Sequence, residues 1–234
     1  MPSRAPRRAS ILLAAVAAST TVLAVTVAAC GVLPPLSSQA GSVQGEGEVA
    51  TADRTTTAFT RISVGAGMHV TVRTGAETSV TLTAQENLLP LITTDVQGDQ
   101  LVVEIPAPGI SSTEPITLTV HVPDLASITL SAGANGTVEV VGSTLAVDVS
   151  AGATMKAIGE LDSLKLTASS GASAQLGEVR AGSASVNLTG GSSAELHVTG
   201  AVTGTADGGS TLVLTEKPAS VDVTTSGGAS VQGG

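Results

Sequence analysis

The chain has 234 residues, a formal net charge of −9 and a single aromatic residue, Phe59. An α/β enzyme of this length would carry many rings to fill its core, whereas abundant Thr, Ser, Val, Ala and Gly suit thin, regularly stacked strands with tight corners. Arg4, Arg7 and Arg8 precede residue 30, which leaves seven basic against 19 acidic side chains beyond it, so nucleic acid is excluded as a partner and anionic headgroups are repelled.

Residues 1–29 read as a secretory signal. The basic start is followed by an apolar run from Ile11 to Ala29, broken only by Ser19, Thr20, Thr21 and Thr26. The run ends in Val27-Ala28-Ala29-Cys30, and Cys30 is the only cysteine. This sequence resembles the lipobox of bacterial lipoproteins: aliphatic, small, small, cysteine. The resemblance implies cleavage before Cys30 and lipidation of its thiol, chemistry that needs a strong sulfur nucleophile. The run is also long enough to span a bilayer uncut. Arg7-Arg8 hints at twin-arginine export, although Ser10 stands where that motif wants an apolar residue. Either anchor puts the rest of the chain on the extracytoplasmic face of the cell membrane, and a lone cysteine leaves no disulfide to stabilise it. Residues 30–56 follow as a lipidated N-terminus and a Pro-, Gly-, Ser- and Gln-rich spacer without apolar periodicity.

Residues 57–234 form the expected folded domain. From Phe59 to Leu130 apolar residues alternate with polar ones: Ile62 and Val64, Val70 and Val72, Val80 and Leu82, Leu101 to Ile105, Ile116 to Val122. Turn signals separate these short strand pairs at Val64-Gly65-Ala66-Gly67, Gln97-Gly98-Asp99 and Val122-Pro123-Asp124. Glu86–Ile92 predicts a single helical turn, since Pro90 forbids a longer one.

Beyond Ser131 the chain repeats. Aligning Gly133, Gly152, Gly171, Gly191, Gly209 and Gly228 gives steps of 19, 19, 20, 18 and 19 residues. Five residues before these glycines lie Ile128, Val147, Leu166, Val186, Gly204 and Val223; five after the first five lie Val138, Ala157, Leu176, Leu196 and Leu214. Paired apolar columns around a glycine corner predict an all-β, parallel β-helix or β-solenoid, each coil of about 19 residues adding a strand to each face. A right-handed coil is expected from the general hand of crossover connections, and the last coil should leave an open edge.

Three stretches, taken in order, resemble a known family: Phe59 to Val72, Asn87-Leu88-Leu89-Pro90 with Gly98-Asp99-Gln100-Leu101, and Val122-Pro123-Asp124-Leu125 running on to Gly133. The family is the putative auto-transporter adhesin, head GIN domain, and the resemblance covers about residues 58–232. It implies a β-helix-like fold on envelope proteins, often lipoproteins, and no established activity.

Chemistry is sparse. His69, His121 and His197 fall at outward polar stations and are expected to face solvent. No zinc-ligand spacing, phosphate loop or nucleophile elbow occurs, and Ser131, Ser150 and Ser169 belong to the corners. Asp148, Asn187 and Asp222 are read as sharing one outward station, with Thr129, Lys165 and Thr205 in other coils; acids a coil apart do not build a calcium cage. The expectation is a non-enzymatic, lipid-anchored interaction or adhesion module with no catalytic residue, cofactor or metal, and an envelope protein or polysaccharide as partner. Two alternatives stand beside it: an envelope signalling accessory, and a carbohydrate-active β-helix enzyme. The enzyme would need acids with Lys156, Lys165 or Arg180 in one groove.

Overall fold

The structure is a computed structural model that describes residues 41–75, 77–106 and 109–234. The segment read as a signal sequence, Cys30 and the first part of the segment read as spacer lie outside the described residues. Among those described, no helix is long and apolar enough to cross a membrane.

The body begins inside the segment read as spacer. There β1 (Val43–Gln44) and β2 (Val49–Arg54) are strands, and in β2 the half-buried stations are Ala50, Ala52 and Arg54. Two alanines and an arginine give no apolar alternation, which is why this strand is silent in the sequence. Next come β3 (Arg61–Val64) and β4 (His69–Thr74), joined by Gly65-Ala66-Gly67-Met68. This pair is itself a coil of the solenoid. Ala66 and Gly67 take positive φ of 57° and 68°, as Ala132 and Gly133 do at 49° and 75°.

Between that coil and the next lies an insertion: β5 (Ser79–Gln85), a 3₁₀ turn at Leu89–Leu91, β6 (Thr93–Gln97), β7 (Gln100–Glu104), β8 (Ile110–Ser111) and β9 (Thr117–Val122). Within it, β7 and β9 run parallel to β3 and β4 and continue the stack. Outside them, β6 closes on β7 and β5 on β9 in antiparallel sense, and β2 is antiparallel to β5. The insertion therefore caps the N-terminal end with strands of reversed direction, and it hides the first corner from any search for a fixed period.

From β10 (Ser127–Leu130) the coils follow without interruption. The long strands β11 (Asn135–Val149), β12 (Thr154–Ala168) and β13 (Ser173–Leu188) each run through a bend and serve two faces. Shorter strands complete the stack: β14 (Ser193–Val198), β15 (Ala201–Ala206), β16 (Thr211–Leu214), β17 (Ser220–Thr225) and β18 (Ser230–Gly233). All pairs from β10 onward are parallel.

In-register pairing turns sequence columns into core columns. On one face Leu101, Ile62, Ile128, Val147, Leu166 and Val186 stack in successive strands, all at most 2 % exposed. On the other, Val120, Val72, Val138 and Ala157 stack, as do Leu176, Leu196 and Leu214, all at most 3 % exposed, with a register shift between Lys156 and Ile158 separating the two runs. Burying each Val or Leu contributes roughly 1.5–3 kcal/mol against leaving it in water, and this burial exists only when the adjacent coil is in place.

The corner glycines form a hydrogen-bonded spine. The amides of Gly67, Gly133, Gly152, Gly171 and Gly191 donate to the carbonyls of Ala132, Ala151, Ser170, Gly190 and Gly208 in the next coil, at 2.9–3.1 Å. Beneath the spine the inward corner station holds Ala134, Ala153 and Ala172, then Ser192 and Ser210. Those two buried hydroxyls donate to the carbonyls of Ala168 and Leu188. The gap in the apolar column at Gly204 has a steric cause. Gly204 has φ 137°, and a Cβ there would lie 1.9 Å from the Val186 carbonyl oxygen; Gly159, at the same φ, would meet Val140 at 1.7 Å.

The ends differ. Arg61 clasps the Gly98-Asp99 hairpin through two bonds to Asp99 Oδ1, at 2.9 and 3.1 Å from Nη2 and Nε, while the Asp99 carbonyl accepts from the amides of Thr60 and Arg61. The guanidinium holds the Asp99 carboxyl below its ordinary value. At the C-terminal end β17 and β18 are paired on one side only, and the inward Val221 is 47 % exposed whereas Val202 above it is buried.

Three outcomes are expected. Gly204→Ala and Gly159→Ala should each lower the urea-unfolding free energy by on the order of 3 kcal/mol, because a carbonyl in the adjacent strand must move. Ala151→Gly, relieving φ 50° at a corner, should raise it by about 0.5 kcal/mol, relief of left-handed strain exceeding the extra freedom of the unfolded chain. For Asp99, whose folded-state value is depressed, the stabilisation is present at neutral pH and is lost as pH falls through that value. Asp99→Asn should therefore lower Tm near pH 7, and the difference from the parent should vanish in acid.

Candidate functional site

Strand alternation sends every second side chain outward, and in-register stacking sorts these into ladders. One ladder reads Ser63, Thr129, Asp148, Thr167, Asn187, Thr205, Thr224. Thr205 Oγ1 donates to Asn187 Oδ1 at 3.1 Å. Its neighbour reads Arg61, Ser127, Ala146, Lys165, Ser185, Thr203, Asp222. Asp222 and Lys165 thus stand one ladder away from Asp148 and Asn187, not at their station. Asp148 and Asn187 lie four residues before their corner glycines and Asp222 six before its own, and alternation puts both stations on the same outer face. Among the described residues no group of His, Cys, Asp and Glu is arranged to hold a metal.

The histidines point outward but are not all free. His69 is exposed, while His121 is half-buried with Nδ1 3.1 Å from Ser79 Oγ. His197, also half-buried, brings Nε2 to 2.7 Å from Glu216 Oε2, a close contact not aligned as a hydrogen bond.

A grooved surface lies on the bend side, opposite the glycine corners. There Val141, Glu160, Arg180 and His197 follow one another in register. A groove of about 350 Å³ runs between Val141, Glu160, Asp162 and Arg180, floored by Gly142, Gly182, Leu161 and Thr199. A second hollow shares Val141 and adds Ile158 and Thr74. Val141 is 73 % exposed and Ile158 44 %.

The irregular steps of 20 and 18 residues originate here. Pairing between β13 and β14 jumps from Leu176↔Leu196 to Arg180↔His197, so Gly177, Glu178 and Val179 bulge from β13, while the corners stay in register. A bulge re-aims the side chains beside it, and these are Glu178 and Arg180.

Of the basic residues an enzyme would need, Arg180 alone joins acids in a groove; Lys165 stands in an outer ladder of one face and Lys156 of the other. The grouping of Arg180 with Glu160 and Asp162 is invisible in sequence spacing because it depends on the bulge. All three are exposed. They lack the water-excluded setting in which fixed charges act strongly on a reacting bond.

Comparison with known proteins agrees with the architecture. Among curated proteins, none matches the sequence. A putative adhesin from Bacteroides fragilis superposes with a TM-score of 0.66 at 15 % identity, covering 81 % of this chain and 99 % of that one. A putative adhesin from Parabacteroides distasonis gives 0.51 at 15 % identity, covering 82 % and 100 %. At such identities the likeness shows the fold. The family profile described as "putative auto-transporter adhesin, head GIN domain" matches residues 58–218, well over half of the sequence, and the chain belongs to that family.

Proposed function

We propose that this chain is a non-enzymatic envelope protein, anchored by a lipid on Cys30 at the extracytoplasmic face of the cell membrane, whose solenoid serves as an interaction or adhesion module. The observation that carries the reading is the set of continuous outward ladders, which offer hydroxyl, amide and carboxylate groups in fixed register over successive coils. Solenoids present extended surfaces of this kind to long or repetitive ligands. Membership of an adhesin family supports the reading. The lack of Trp and Tyr removes the rings on which sugars stack, and that favours a protein over a polysaccharide as partner.

A second reading, a carbohydrate-active enzyme, draws on Glu160, Asp162 and Arg180 lining one groove. The exposure of all three favours surface recognition over chemistry on a buried bond.

Metabolic labelling with a clickable fatty acid, comparing the parent with Cys30→Ala, tests the anchor. Label on the parent alone, together with loss of the protein from intact cells on protease shaving, is the expected result. No label on either protein, or protection from the protease, would overturn it.

A further inference from the structure

We propose that the bend-side groove is a docking site for an extended basic segment of a partner protein. A branched apolar side chain of that segment would sit against Val141 and Ile158, and an adjacent Lys or Arg would lie over Glu160, Asp162 and Glu178. The proposal deepens the interaction-module reading and rests on it.

Exposure sets the place. Elsewhere the outward ladders carry mainly Thr, Ser, Asn and charged groups, but here two large aliphatic side chains stand in solvent within one hollow. Water leaves that surface when another apolar side chain covers it.

At Gly142 the floor is open without backbone necessity, whereas at Gly182 a Cβ would meet the Asp162 carbonyl oxygen at 2.7 Å. A Cβ on Gly142 would meet only Asp124 Oδ1 at 3.8 Å and Leu161 Cδ2 at 4.0 Å, ordinary contact distances. Gly159 and Gly204 have carbonyls pressed against them; Gly142 does not, and its missing side chain keeps the groove empty.

Charge selects the occupant. Glu139, beside the hollow, is neutralised by Arg73 at 3.1 Å. Glu160, Asp162 and Glu178 have no ion pair among the described residues; Arg180 is the cation lining the groove, and Lys156, two residues before Ile158 and exposed like it, is a second cation nearby. The local excess is negative, so a basic segment is drawn in and an acidic one repelled. A second copy of this chain, itself strongly acidic, is disfavoured by the same field. The bulge at Gly177–Val179 adds specificity, because it sets Glu178 beside Ile158 in register.

The test pans a phage-displayed library of random dodecapeptides on the immobilised full chain at low salt. Enriched peptides should carry Lys or Arg within a few residues of Val, Ile, Leu or an aromatic. Their binding should weaken with added salt, and by roughly tenfold or more on Gly142→Leu, which fills the groove, and on the double variant Glu160→Lys/Asp162→Lys. Circular dichroism checks that both variants fold; the charge variant alters only exposed side chains and keeps the test decisive if Gly142→Leu does not fold. Acidic or uncharged consensus peptides, no enrichment, or undiminished binding to the folded variants would overturn the proposal. Peptides that bind both variants as well as the parent would place recognition elsewhere and leave the interaction module standing, whereas failure of fatty-acid labelling touches the anchor alone.

Discussion

Everything in this molecule depends on parallel pairing in strict register between neighbouring coils. A single coil has no interior: its Val and Leu side chains find partners only in the coils above and below, as Val147 does between Ile128 and Leu166. A slip of one residue would turn each inward column to solvent and bring Thr, Asp and Lys inside. Two features pin the register. The corner amides donate from coil to coil, and glycines with φ near 137° let one strand approach a carbonyl of the next where a methyl group would collide. The core therefore forms with a single ring, Phe59, because long-range regularity replaces bulky packing.

The same regularity makes the departures informative. Where the chain keeps period, its outer surface repeats small polar groups. Where period fails, between Leu176 and Arg180, charge and exposed aliphatic side chains gather along the groove and the adjoining hollow of the bend side. A repeat architecture builds a distinctive local surface most economically at a bulge, since the corner spine stays in register past the extra residues.

Much of this was readable from residues. The corner glycines and apolar columns announced the solenoid because a glycine forced into positive φ and an aliphatic forced into a column cannot be exchanged freely. The first coil escaped because β5 to β9 separate Gly67 from Gly133, and β2 escaped because its half-buried stations are Ala50, Ala52 and Arg54, which make no apolar alternation. Gly204 looked like a flaw in a column until the Val186 carbonyl accounted for it. The association of Arg180 with Glu160 and Asp162 was not legible at all. It arises from pairing across a register shift, and spacing along the chain carries no trace of such pairing.

The antiparallel cap gives the solenoid a definite bottom, and from that base height becomes a free variable. Each further coil adds about 4.8 Å along the axis and meets the same surface as the one before it, so a duplicated or deleted unit of some 19 residues changes the reach of the molecule without remaking any of its contacts. A protein built this way can be lengthened like a ladder. Its length can change while the surface presented at any one rung stays as it was.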